Sequence, residues 1–138
     1  MKKLILVLVA VAALASCGKQ SESKPAPEVR RDSTVIEFDT TFKGLGMVEQ
    51  AKPVDFTFTF RNAGKKDLVI SEVETGCHCT AAEYPKTPVK PGESGEIKVA
   101  FDGSKLSKGR SGYFNRIMTV HSNAQGSPHK LRFSGRLQ

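Results

Sequence analysis

The run Val54-Asp55-Phe56-Thr57-Phe58-Thr59-Phe60-Arg61 alternates apolar and polar side chains without a break. In an extended chain successive side chains point to opposite faces, so Val54, Phe56, Phe58 and Phe60 share one side and Asp55, Thr57, Thr59 and Arg61 the other. One side meets a core and the other meets water, which fixes a half-buried strand. Ile97, Val99 and Phe101 alternate in the same way. So do Leu131, Phe133 and Leu137, separated by Lys130, Arg132, Ser134 and Arg136, with Gly135 at the remaining inward position. Shorter candidate strands are Val35 to Asp39, a run around Gly46 to Glu49, Leu68 to Glu74, and Tyr113 to His121. Turn chemistry separates them at 62–67, 85–93, 102–103 and 123–128, where Gly, Pro, Asn and Asp gather. No stretch offers a sustained helical stripe. Gly44-Leu45-Gly46 opens no helix and so makes no phosphate loop. Residues 34–138 are therefore expected to form an all-β, Ig-like β-sandwich of about seven strands.

The residues before this domain follow other rules. Met1-Lys2-Lys3, an apolar run from Leu4 to Ala15, and Ser16-Cys17 make the basic start, hydrophobic middle and small-residue end of an export signal. The run is shorter than the roughly 20 apolar residues that span a bilayer. Leu14-Ala15-Ser16-Cys17 resembles the lipobox of bacterial lipoproteins, which implies cleavage of residues 1–16 and acylation of the Cys17 thiol. Two or more acyl chains on one residue make a stable anchor, since each buried methylene contributes about 0.8 kcal/mol. Residues 18–33 hold Lys, Ser, Glu, Pro and Arg with one aliphatic side chain beyond alanine, Val29, so they read as a flexible tether. The expected location is the cell envelope, on the periplasmic or cell-surface face of a membrane, with membrane lipid as the first partner.

Charge narrows the partners further. The chain carries 21 Lys and Arg against 14 Asp and Glu, a net +7 that cleavage lowers by two through Lys2 and Lys3. An exported chain does not meet the nucleoid, and cations such as Lys98, Lys130, Arg132 and Arg136 are spread singly along strands. They read as a solvated face with some pull toward anionic lipid or polysaccharide, and nucleic acid is not expected.

Several motifs in order carry a wider resemblance: Phe60-Arg61-Asn62-Ala63-Gly64 before Leu68-Val69-Ile70, then Gly76-Cys77-His78-Cys79-Thr80, Val89-Lys90-Pro91-Gly92-Glu93-Ser94-Gly95, Val120-His121-Ser122-Asn123 and Leu131-Arg132-Phe133-Ser134-Gly135. The chain resembles, over residues 36–137, the bacterial lipoproteins of domain-of-unknown-function family 1573, whose fold is similar to Hydin-type and major-sperm-protein-type immunoglobulin domains. That resemblance implies a seven-stranded sandwich and an envelope location, and no established activity. The family commonly has a glycine between the two cysteines. Here the position is His78, which adds a possible ligand and proton acceptor.

Cys77-His78-Cys79 is the one cluster of reactive side chains. Extended backbone would place both thiols on one face and His78 on the other, whereas a turn at Gly76 could gather all three. Two thiolates suit monovalent copper, with a third ligand from His78, His121, His129, Met47 or Met118. Structural zinc would need four protein ligands. A disulfide between the two, either static or redox-active, or a pair of packed thiols are the other readings. A cysteine enzyme would need a base oriented by a third group, and none is readable from spacing, so no enzyme is expected. Asn62 and Asn123 read as strand-end residues bonded to nearby backbone. Asp32-Ser33-Thr34 and Asp39-Thr40-Thr41 resemble a short O-glycosylation motif of some bacterial envelopes. The expected function is docking: a lipid-anchored module that meets an envelope protein or surface polysaccharide through edge strands and loops, with no cofactor. The alternative is a copper-binding or thiol-redox protein.

Overall fold

A computed structural model describes residues 34–106 and 112–138. The export signal, Cys17 and the tether to residue 33 lie outside the described residues, as does Asp32-Ser33 of the first glycosylation motif. Eight strands follow in order: β1 (Ile36–Phe38), β2 (Phe42–Val48), β3 (Val54–Asn62), β4 (Ile70–Glu74), β5 (Thr80–Glu83), β6 (Ser94–Phe101), β7 (Gly112–Ser122) and β8 (His129–Leu137). A short 3-10 turn, Gly103–Lys105, follows β6. The strands form two four-stranded sheets, ordered β1-β3-β6-β5 and β2-β8-β7-β4. This is the expected all-β, Ig-like sandwich.

Alternation builds the core. Phe58, Phe60, Ile97, Val99 and Phe101 from the first sheet, and Met118, Val120, Leu131 and Phe133 from the second, are all buried. Phe101 stacks on Phe114 with centroids 4.7 Å apart, and Phe56 meets Phe133 at 5.0 Å, so the two inner faces interdigitate. Gly135 keeps its inward place for a steric reason: a Cβ there would lie 2.7 Å from the Phe114 ring and 2.9 Å from the Gly46 carbonyl oxygen. Gly95 serves Phe60 likewise, since a Cβ would overlap that ring.

Buried amides order the loops. Asn62 is fully buried, and its Nδ2 donates to the carbonyls of Lys66 and Val89, both at 2.8 Å, while its Oδ1 accepts from Gly64 N–H at 3.0 Å. Asn123 accepts from Val69 N–H and donates to the Asp67 carbonyl, both at 2.9 Å. Both asparagines thus bond strand ends to nearby backbone, as expected.

Two elements differ from the sequence expectation. Thr80-Ala81-Ala82-Glu83 carries no large alternating side chain, yet forms β5 because β6 pairs with it from Phe101 to Lys98. The segment expected around Gly46 starts four residues earlier, at Phe42, and runs parallel to β8, the sole parallel pair among the described strands. The register also sets two poles. Thr34, the 62–69 and 84–93 loops and the 123–128 loop share one, with Gln125 N–H bonded to the Thr34 carbonyl at 2.8 Å. The β4–β5 turn, the 3-10 turn and the C-terminus share the other, where β5 begins beside Phe101.

Candidate functional site

The β4–β5 connection turns at Gly76, whose φ of +64° suits glycine. Beyond it Cys77 and Cys79 are joined by a disulfide with their Cα atoms 5.3 Å apart. Cys79 is buried, Cys77 half-buried, and His78 points to solvent. The Thr80 hydroxyl lies 3.4 Å from Cys77 Sγ and 3.7 Å from Cys79 Sγ. Thr75 Oγ1 donates to the Cys77 carbonyl at 3.3 Å, and Asp102 N–H to the Cys79 carbonyl at 2.8 Å. The turn is therefore bonded on both flanks and closed at its centre.

The other residues considered as copper ligands stand elsewhere. His121 Nε2 faces Glu74 Oε1 at 3.3 Å on the outer side of β7. His129 packs edge-on to Phe38, with centroids 5.9 Å apart, and burial pulls its pKa below the usual histidine value. Met118 is sealed in the core and Met47 is exposed on β2. Among the described residues no group of three or more His, Cys, Asp or Glu is placed to hold a metal ion.

A second site lies where the sequence showed only a solvated face. Among the described residues, the exposed large hydrophobics are Phe42, Met47, Val69, Tyr113 and Ile117, with Tyr113 86% exposed. Four of the five belong to β2 and β7, the strands on either side of β8. Register puts them in two rows across the sheet: Phe42, Arg132 and Ile117 in one, Met47, Arg136 and Tyr113 in the other. Between the rows run Gly44, Ser134 and Asn115. Beside the Met47-Arg136-Tyr113 row a shallow cavity opens, lined by those three residues with Gly44, Gly46, Ser134 and Gly135. Among the described residues neither Arg132 nor Arg136 makes an ion pair. Exposed apolar side chains thus flank two unpaired guanidinium groups.

Sequence reasoning marked Arg132 and Arg136 as solvated and left Phe42 outside any strand. Parallel pairing of β2 with β8 brings Phe42 and Met47 beside them across some ninety residues of chain, and no local pattern encodes that. The readable signal was the apolar side chains Tyr113 and Ile117 at outward positions of a strand that was foreseen.

The sheet edges are less open to a partner than expected. β1 has three residues and β5 four. The β2 ladder is interrupted between Gly44 and Met47, and the β4 ladder between Ile70 and Glu72. Tyr84 Oη donates to the Ser71 carbonyl at 3.3 Å, linking the chain after β5 to β4 of the other sheet. Short, bulged and bridged edges resist strand addition.

Comparison with known proteins agrees with the architecture. No curated protein matches the chain in sequence. A solved structure of a protein of unknown function from Porphyromonas gingivalis W83 is 19% identical, with a TM-score of 0.69, over 80% of this chain and 50% of that one. The present chain thus spans half of that protein. The ASH / PapD-like domain 7 of human CEP192 is 15% identical with a TM-score of 0.53, covering 88% of this chain and 96% of that one. The Vibrio cholerae VesB protease is 16% identical with a TM-score of 0.56, covering 75% of this chain and 31% of that one. At these identities the likeness is one of fold. A family model matches residues 36–137, nearly the whole described domain, and the chain belongs to the family described as "Protein of unknown function (DUF1573)".

Proposed function

We propose that this chain is a non-enzymatic docking module of the cell envelope, held on a membrane by acylated Cys17, and that it meets a partner through the outer face of the β2-β8-β7-β4 sheet. One observation carries the reading: among the described residues, four of the five exposed large hydrophobics gather on that face around two arginines that make no ion pair. Apolar side chains clustered at a solvated face mark an interaction surface, whereas scattered ones need no explanation. The Ig-like fold and its PapD-like neighbour are compatible with such a role. Edge strands, the docking elements expected from sequence, are short or bulged here, so the sheet face is the better candidate. Copper or thiol chemistry at Cys77 and Cys79 has less support, because the two sulfurs are bonded to each other and, among the described residues, no group of three or more His, Cys, Asp or Glu is placed to hold a metal ion.

The test is site-directed photo-crosslinking in intact envelopes. A photoreactive phenylalanine analogue at position 113 should give a discrete adduct, and the same analogue at position 61, exposed on the outside of the other sheet, should give none. Equal labelling from both positions, or none from 113, would reject the docking face. The anchor has its own test: Cys17→Ser should no longer partition into detergent phase or incorporate a labelled fatty acid.

A further inference from the structure

The face does more than expose apolar surface, because its groove has a shape and a charge pattern that select an occupant. Arg132 and Arg136 are four residues apart on β8, so the two rows of projecting side chains that they centre stand about 13 Å apart at ~3.3 Å per strand residue; these rows are the groove's walls, the Arg136 row lining the cavity and the Arg132 row facing it from outside that lining. Each arginine is the centre of its wall, with an apolar side chain on the neighbouring strand to either side, about 4.8 Å away. The floor between them is open. A Cβ on Gly44 would meet only the Phe42 ring, at 3.9 Å, and one on Gly46 would meet nothing within 4 Å.

We infer that this groove binds an extended, acidic segment of a protein, in which two adjacent carboxylates are flanked on each side by apolar residues. This deepens the docking proposal and rests on it. In an extended chain lying across the strands, neighbouring side chains point to opposite walls. Two consecutive Glu or Asp side chains therefore reach Arg132 and Arg136 separately. The apolar side chains before and after them fall beside Phe42 and Met47 at one end, and beside Ile117 and Tyr113 at the other. Guanidinium groups bind carboxylates through paired, charge-assisted hydrogen bonds, which gives the site its sign preference. A flat bilayer would touch the wall tips and leave the Gly44-Ser134 floor empty, and a uniformly polar glycan would leave the four apolar wall positions unmatched. An acidic segment with apolar flanks fills both.

The experiment uses the lipidated chain in nanodiscs of neutral phosphatidylcholine and a fluorescent peptide with the core Val-Val-Glu-Glu-Val-Val between Gly-Ser flanks. Saturable binding that weakens with salt is expected, as for a charge-steered contact. Gly44→Val adds a β-branched side chain to the floor at ordinary backbone geometry and should weaken binding at least about tenfold, the scale of a lost interface contact. Ser134→Val is the second floor variant, for use if the first does not fold. Arg132→Glu with Arg136→Glu should lose the Glu-Glu peptide and gain one with a Lys-Lys core. No binding by the wild type, binding untouched by both floor variants, or failure of the charge swap would each overturn the inference. So would displacement of the peptide by phosphatidylglycerol vesicles or polygalacturonate at lower concentration, which would assign the groove to an anionic lipid or glycan. If the crosslink at position 113 forms while the peptide fails to bind, the docking face stands and the acidic segment falls.

Discussion

The two sheets present nearly the same inner face and quite different outer ones. Outside the first sheet, Asp55, Ala100 and Ala81 align in one row and Thr57, Lys98 and Glu83 in the next, with Thr59 opposite Glu96 beyond them. Those rows set three carboxylates, Asp55, Glu83 and Glu96, against Lys98 among small and hydroxylated side chains, so the face is polar and net acidic and carries none of the exposed large hydrophobics of the described residues. Outside the second sheet two rows run apolar, arginine, apolar across β2, β8 and β7, with Gly44, Ser134 and Asn115 between them. Backbone pairing and core packing ask nothing of outward side chains beyond strand compatibility. The fold itself does not account for the difference, and the proposed docking face does.

The comparison breaks first if inward and outward positions are misassigned. Phe58→Ala, at an inward site with no exposure, should cost about 3–5 kcal/mol in denaturant unfolding, as buried aromatic truncations do. Thr57→Ala, its outward neighbour, should cost far less, and equal costs would dissolve the distinction between faces. Next in size is Asn62→Ala, which takes the amide from the Lys66 carbonyl and Gly64 N–H and leaves the Val89 carbonyl with Leu68 N–H alone, and should lose about 1–3 kcal/mol. A negligible change in the unfolding midpoint would mean that water replaces the amide and that the 62–69 loop is not fixed by it.

Smaller effects sharpen the contrast between structure and surface chemistry. Changing Cys77 and Cys79 together to Ser should lower stability by less than about 2 kcal/mol, because the loop that the bond closes holds a single residue and restricts the unfolded chain little. A much larger loss would make the pair integral to the core. Smallest of all, Tyr113→Ser should stay within about 0.5 kcal/mol of wild type, as surface substitutions do. A large destabilisation there would show that the exposed apolar row supports the fold and was not retained for a partner.

What could be read beforehand divides along the same line. The inner faces were legible because burial imposes period two on each strand, and Phe58, Val99 and Leu131 advertise it with side chains of the right size. Gly135 was legible as an inward gap, though not its partner Phe114. β5 was not, since Thr80 to Glu83 owe their conformation to β6 and carry no pattern of their own. The turn at Gly76 was anticipated as the way to bring His78 to the two thiols; the turn is there and the sulfurs meet, but His78 stays exposed. The proposed docking face was the least legible part. It exists only once β2 lies parallel to β8, and a pairing between Phe42 and Arg132 leaves no trace in either segment.

The blunted sheet edges acquire another meaning if the chain is lipidated as proposed. Molecules confined to a membrane diffuse in two dimensions at high local density and share one orientation, conditions under which an open edge would add strand to strand along the surface. A three-residue β1, a four-residue β5 and interrupted ladders on β2 and β4 offer no long template for such growth. Lateral crowding would then leave each copy separate, with its sheet face free for a different molecule.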